Sequence, residues 1–89
     1  MLHFISYFFT ASEDRYAPFW SQVQALGETE YLYDGAFFTS ADRTAEGIRI
    51  KLLPFLCEAD RLVIIRMQPG SCAGQLPQRA KNFIQKYIS

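Results

Sequence analysis

The chain has few of the residue types on which most enzyme and metal sites depend. It contains one histidine, His3, so neither a histidine-based catalytic triad nor a multi-histidine metal site can be built within one copy. Its two cysteines, Cys57 and Cys72, lie fifteen positions apart without a CxxC motif. They are typical of reduced packing thiols, with a disulfide or a reactive thiol as the alternatives. The sequence therefore predicts no catalytic residues, no metal site and no cofactor.

Long apolar runs and targeting segments are also missing. No run approaches the roughly 18 residues that are needed to span a bilayer. The N-terminus has neither a basic region nor the small-residue cleavage site of a secretory signal. We therefore expect a cytoplasmic protein without membrane association. The 89 residues predict one domain, 1–89, and a hydrophobic content of 49% with 16% aromatic residues excludes disorder.

The net charge is zero, with nine basic and nine acidic residues, but the two signs are unevenly placed. Residues 1–47 carry a net charge of −5, and residues 48–89 carry +5. Such asymmetry predicts either an anion-binding face or charge complementarity between subunits. If the two halves of the chain interleave in the folded domain, the field cancels instead.

The first strand, predicted over residues 2–10 with the sequence LHFISYFFT, organises the rest of the chain. Successive side chains of a strand point to opposite sheet faces, and this strand is apolar on both. It is therefore predicted to be central and covered on both sides, with His3 as a hydrogen-bonded core or interface residue. RLVIIRM at residues 61–67 is apolar without alternation and is also predicted to be buried on both faces.

A hairpin is predicted between residues 29–33 and 36–40. The intervening Asp34-Gly35 is a strong signal for a type I′ turn, which needs positive φ at both central residues. On the first arm, alternation places Tyr31 and Tyr33 on one face of the sheet.

Three helices complete the pattern. Residues 16–26 carry apolar side chains at helical spacing and end at Gly27, with Pro18 in the first turn. The last helix is predicted over 77–88.

The middle helix has its own start and stop signals. Its cap is Thr44 or Asp42, and its regular part is predicted to kink or end near Leu53 because the ring of Pro54 crowds the preceding turn.

The order of elements is strand, helix, two-stranded hairpin, helix, strand, helix. Its βαββαβ part is the signature of the ferredoxin-like α+β fold, with an antiparallel sheet of order 4-1-3-2 and both main helices on one face. The other face, rich in aromatic residues, would be uncovered. A homodimer is the preferred cover, because twofold partners are the commonest oligomers, and the C-terminal helix is the alternative. The residues predicted at the dimer interface are Phe4, Ile5, Tyr7, Phe8, Phe9, Tyr31 and Tyr33.

Two stretches resemble a known family, the small CRISPR-associated ferredoxin-like proteins that bridge the integrase during spacer acquisition, together with short standalone relatives. HFISY is similar to the opening strand of that family. TSADRTAEGIRIKLLPFLCEADRLVIIRM, residues 39–67, is similar to its half made of a strand, a threonine-rich turn, a helix and a hydrophobic strand. The virulence-associated protein D type of toxin ribonuclease resembles this group and shares the fold.

The resemblance implies a homodimer that packs through its sheets and has nucleic acid as a partner. Nuclease members carry an aspartate directly after a tyrosine at the end of the first strand, where two protomers hold one divalent metal ion. Phe8 occupies that position here, and a phenyl ring offers no oxygen ligand. The nearest acids, Glu13 and Asp14, are explained by helix capping. The nuclease chemistry of the family is therefore not expected.

These observations predict a non-enzymatic, homodimeric interaction or scaffold protein, with nucleic acid as a further partner. The candidate nucleic-acid-binding residues are the basic residues Arg49, Lys51, Arg79, Lys81 and Lys86. The zero net charge argues against a dedicated nucleic-acid-binding domain. Two alternatives stay open: a metal-dependent endonuclease or toxin-type ribonuclease with displaced ligands, and a small-molecule-binding regulatory module.

Overall fold

The computed structural model describes residues 1–70 and 73–88, which form four strands and three α-helices. The strands are β1 (Leu2–Phe8), β2 (Thr29–Tyr33), β3 (Ala36–Ser40) and β4 (Arg61–Arg66). The helices are α1 (Ala17–Leu26), α2 (Ala45–Leu52) and α3 (Gln78–Ile88). A 3-10 turn, Glu13–Tyr16, precedes α1, and a second, Leu53–Phe55, follows α2.

The four strands form one antiparallel sheet in the order β2-β3-β1-β4. Read from the other edge, this is the predicted order 4-1-3-2. The ferredoxin-like α+β fold with an added C-terminal helix is therefore confirmed. As predicted, β1 and β3 are the central strands, and β2 and β4 are the edges.

The first face of the sheet is covered by α1 and α2, which build the main core. Ile5 of β1 and Phe37 of β3 point into this layer and are fully buried. The helical segments contribute Tyr16, Phe19, Val23, Ile48 and Leu52. Pro18 lies in the first turn of α1, where its missing N–H costs little.

The second face of the sheet is covered only in part, by α3. Ala80 and Phe83 of this helix pack on Leu2 of β1 and Phe38 of β3. The C-terminal helix, which the sequence left as the alternative to a partner, therefore supplies some of the missing cover. Among the described residues, no helix has the length and apolarity that a membrane span requires.

The bounds of α2 follow the predicted signals. Thr44 is the N-cap, and its Oγ1 accepts a hydrogen bond of 3.0 Å from the backbone N–H of Gly47. Pro54 lies in the 3-10 turn that directly follows the helix, so the predicted end near Leu53 is confirmed.

The prediction that β4 is buried on both faces is wrong. Val63 and Ile65 are each 53% exposed, because β4 is an edge strand and α3 lies nearer the opposite edge. The first strand also ends at Phe8 rather than at residue 10. Phe8 pairs with Arg61, the first residue of β4, so there is no strand beyond it for the chain to pair with.

The hairpin has the predicted strand bounds but a different local geometry. Among the described residues, no residue other than glycine has positive φ, and Gly35 alone in the turn does so, with φ of 103°. The prediction of a type I′ turn is therefore wrong. The register shifts between Tyr31 and Tyr33, so these two side chains do not share a face: Tyr31 contacts Trp20 and Phe37 on the first face.

Gly27 is required where α1 turns into β2. A Cβ added there would lie 1.9 Å from the carbonyl oxygen of Ser40. Ser40 cannot withdraw easily, because its backbone N–H donates to the carbonyl of Glu28 at 2.9 Å and its Oγ accepts from the N–H of Glu28 at 3.1 Å. The end of α1 is thus fixed against the end of β3.

We expect Gly27→Ala to lower the free energy of unfolding by more than about 1 kcal/mol, because the backbone must move to accept the methyl group. Gly74→Ala is the matched control, since a Cβ there meets no atom within 4 Å. Urea unfolding followed by circular dichroism measures both. Equal stability of the two variants would contradict the close approach.

Candidate functional site

The most unusual surface of the protein is an apolar strip on the second face of the sheet. We define the open strip as Phe8, Tyr33, Val63 and Ile65, whose exposed fractions are 64%, 67%, 53% and 53%. Large apolar residues are scattered on most surfaces, but a contiguous group on one sheet face marks an interaction site.

The strand register brings these residues together. Tyr33 pairs with Ala36, Ala36 with Ser6, and Ser6 with Val63, so one row crosses all four strands. Directly paired residues of antiparallel strands share a face. The small side chains of Ala36 and Ser6 form a low floor, and the larger Tyr33 and Val63 stand at its two ends.

A groove continues the open strip toward α3. It has a volume of about 480 Å³, and it shares Tyr33 and Ile65 with the strip. Its apolar lining also includes Phe4, Leu32, Phe38, Met67 and Leu76. Arg66 and Gln75 also line the groove, so strip and groove together form one largely apolar surface that reaches the cluster around α3.

The residues predicted at a dimer interface are divided between the two faces. Phe4, Phe8 and Tyr33 lie on the second face, beside or within the open strip. The other four, Ile5, Tyr7, Phe9 and Tyr31, lie on the first face, which the chain's own helices cover. Ile5 is fully buried there and has no surface to offer to a partner.

Asp60 is a buried acid whose role the sequence did not reveal. It lies just before β4 and is 8% exposed. Its Oδ1 accepts from the backbone N–H of Thr10 at 2.8 Å and from the Thr10 hydroxyl at 2.7 Å. Its Oδ2 accepts from the Tyr16 hydroxyl at 2.8 Å and from the N–H of Cys57 at 2.7 Å. One carboxylate thus joins the end of β1, the turn before α1 and the loop before β4.

These hydrogen bonds decide the ionisation of Asp60. Burial alone would raise the pKa of its carboxyl, but the bonds from Thr10, Cys57 and Tyr16 outweigh burial and hold that pKa well below its ordinary value of 3.8. A depressed pKa in the folded state means that the stabilisation is present above the unfolded pKa. It is lost as the pH falls below that value toward the folded pKa.

We expect Asp60→Asn to lower the free energy of unfolding at pH 7 by more than about 2 kcal/mol, because an amide cannot accept all four bonds. It should also flatten the loss of stability that the parent shows below about pH 4. Glu58→Gln is the control, since Glu58 is exposed and has no hydrogen-bond partner among the described residues. Denaturant unfolding over a range of pH tests both effects, and a D60N protein as stable as E58Q would refute this role.

His3 is buried as predicted, but the prediction that its side chain is hydrogen-bonded is wrong. Its exposure is 0%, and neither ring nitrogen has a partner in hydrogen-bonding geometry among the described residues. Its neighbour across the sheet, Thr39, donates its hydroxyl to the carbonyl of Glu28 instead. Burial lowers the pKa of His3, and the N-terminal amine and Arg66 lower it further, while nearby backbone groups of Met1 and Arg43 offset part of this change.

The histidine should therefore make folding pH-dependent near neutrality. Below its ordinary pKa of 6.5 the unfolded chain binds a proton that the folded chain does not, so stability falls as the pH drops. We expect His3→Leu to remove this slope and to stabilise the protein at pH 7 by on the order of 1 kcal/mol.

His3→Gln separates these two effects, because it removes the titration but keeps an unpaired buried polar group. It should lose the slope without the gain in stability. Unfolding midpoints between pH 5 and pH 8 measure both variants. Because the N-terminal amine also titrates in this range, the parent is the reference: a slope in H3L as steep as that of the parent would contradict the assignment.

The predicted basic residues do not form one surface. Arg49 and Lys51 belong to α2 on the first face, and Arg79, Lys81 and Lys86 belong to α3 on the second. Three of the five are paired with acids of the first half of the chain. Arg49 contacts Glu46, Arg79 contacts Glu30 at 2.8 Å and Lys86 contacts Glu28 at 3.5 Å. The two charged halves therefore interleave, and these pairs cancel much of the field.

The other acids and thiols that the sequence raised as candidate ligands or reactive groups lie in ordinary structural positions. Glu13 and Asp14 lie in the first turn of the 3-10 segment before α1, although its N-cap, Ser12, makes no side-chain cap bond. Cys57 is a free, half-buried thiol against the main core. Cys72 lies outside the described residues. Within the described part of the chain, no three His, Cys, Asp or Glu side chains are grouped so as to hold a metal ion.

Comparison with known proteins adds no relative to this description. The chain matches no protein-family model, no curated protein and no solved structure. None of these comparisons bears on the predicted resemblance to the CRISPR-associated group, which stays an expectation from the two stretches quoted above.

Proposed function

We propose that this protein is a non-enzymatic interaction module that binds a second copy of itself through the open strip. The observation that carries the proposal is the exposure of four large apolar side chains on one sheet face, beside an apolar groove. Water contact with such a continuous surface is unfavourable, and association removes it. The free thiol of Cys57 suits the cytoplasm, the compartment that we propose for it.

The area that a stable interface needs favours a dimer contact that includes the groove as well as the open strip. A stable interface takes roughly 800 Å² from each partner, which is more than four partly exposed side chains provide. Because the groove shares Tyr33 and Ile65 with the open strip, both can be buried in one contact. A second copy is the partner we propose because a twofold interface needs only one patch that fits itself. The open strip is uncharged, and among the described residues Arg66 is the one charged side chain that lines the groove.

The proposal predicts a dimer at micromolar concentration in analytical ultracentrifugation, at twice the chain mass of 10.2 kDa. Val63→Glu should convert it to a folded monomer, because two unpaired carboxylates would be buried in the contact. Val63 is already exposed in the single chain, so the variant should keep its circular dichroism spectrum.

Ile50→Glu is the matched control. Ile50 is 58% exposed, similar to Val63, but it lies on α2 on the other face of the sheet. This variant should remain dimeric. A parent protein that sediments only as a monomer, or a dimer unaffected by V63E, would refute the proposal.

The sequence suggests nucleic acid as a further partner. The placement of the basic residues gives this suggestion little support. Three of the five candidate cations are paired, while Lys51 and Lys81 lie on helices that cover opposite faces. Fluorescence anisotropy of labelled RNA and DNA at low salt is the test, with Lys51→Glu and Lys81→Glu beside the parent. Binding that weakens with added salt and in these two variants would support nucleic acid as a partner. Cleavage that depends on Mg²⁺ or Mn²⁺ would instead favour the nuclease alternative.

A further inference from the structure

A cleft of about 580 Å³ opens where β1 ends, and Phe8 is the one residue that it shares with the open strip. The start of α1 and the tip of the β2–β3 hairpin form its sides. The hairpin tip is held to β1 by a hydrogen bond of 2.9 Å from the N–H of Tyr7 to the carbonyl of Gly35. The cleft is therefore built from three segments that are distant in sequence.

Aromatic rings form the walls of the cleft. Tyr7, Phe9 and Trp20 all belong to its lining, and each of these residues is half-buried. The centroids of Tyr7 and Trp20 are 5.3 Å apart with the planes at 79°, and those of Phe9 and Trp20 are 6.0 Å apart at 70°. Such steeply inclined rings form a corner, in which one compact group can contact more than one of them.

The corner is held in place from behind. Phe9 stacks on Tyr16 with centroids 3.7 Å apart and planes only 7° from parallel. The Tyr16 hydroxyl is fixed by the carboxylate of Asp60. A ligand would therefore find these walls in place, and this preorganisation reduces the entropy cost of binding.

Among the described residues, the charged side chains that line the cleft are both negative. Glu13 and Asp34 belong to its lining, both are exposed, and neither has an ion pair or hydrogen bond among the described residues. Four of the other seven acids differ: Glu28, Glu30 and Glu46 are paired with cations, and Asp60 is enclosed by donors. Arg61, near Phe8 on β4, directs its guanidinium to the backbone carbonyls of Ala59 and Asp60.

We propose that this cleft binds an organic cation, specifically a methylated ammonium group. The faces of Tyr and Trp rings attract a cation within about 6 Å of the centroid, and methyl groups add apolar contact. The two free carboxylates supply the counter-charge. A nucleotide is disfavoured, because a base stacked on these rings would bring its phosphates toward Glu13 and Asp34. A divalent metal ion would need more oxygen ligands than these two acids provide.

The chain carries its own reporter for this site. Trp20 is the sole tryptophan, so intrinsic fluorescence observes one wall of the cleft directly. Titration with choline at constant ionic strength should give a saturable change. 3,3-Dimethylbutanol, which has the shape of choline without its charge, should bind about tenfold more weakly. Trimethyllysine, titrated in parallel, distinguishes a free small molecule from a modified side chain as the source of the group.

Variants separate the charge from the rings. Glu13→Gln combined with Asp34→Asn should weaken choline binding severalfold and remove the preference over the neutral alcohol. Asn is well tolerated in turns, so the hairpin should persist. Asp14→Asn is the matched control, because Asp14 adjoins Glu13 but does not line the cleft. It should leave the affinity unchanged.

Two results would overturn the proposal: equal binding of choline and the neutral alcohol, or no saturable binding of choline or trimethyllysine by either fluorescence or calorimetry. The site does not depend on the dimer, since Phe8 alone belongs to both the cleft and the open strip. The Val63→Glu monomer should therefore bind choline as the parent does.

Discussion

The hydrogen bonds to the Asp60 carboxylate hold together the end of the sheet where β1 stops and β4 begins. A sheet of this order needs β1 and β4 side by side, although more than fifty residues separate them in the chain. Strand pairing ends at Phe8 and Arg61, and Asp60 continues the connection by accepting bonds from Thr10, Tyr16 and Cys57. A buried charge is tolerated here because the donors around it replace the water that it loses.

The position of α3 has the opposite effect, since it determines what stays exposed. The helix covers Leu2 and Phe38 near one end of the second face and packs mainly on β2 and β1. Val63 and Ile65 are as apolar as any core residue, yet half of each remains accessible. In a small domain with few layers, the placement of one helix thus decides which apolar residues form the core and which remain free for a partner.

Much of the fold could be predicted from local signals, and the differences have local causes as well. Thr44, Pro54 and Asp34-Gly35 marked the element ends because capping, ring geometry and turn chemistry act within a few residues. The exposure of β4 could not be predicted, because apolar sequence does not reveal whether a cover exists. The register shift before Tyr33 had no sequence signal either, and it moved that side chain to the face opposite Tyr31.

The candidate sites show the same limit more strongly. Sequence singled out the basic residues because they are concentrated in one half of the chain, but the fold pairs several of them with acids of the other half. Glu13 and Asp34 are among the acids without an ion pair, and although twenty-one positions separate them in the sequence, both line the cleft. Each acid alone is explained by a helix start or a turn. Only their common position beside Trp20, with no cation in the same lining, turns two ordinary residues into a candidate binding site.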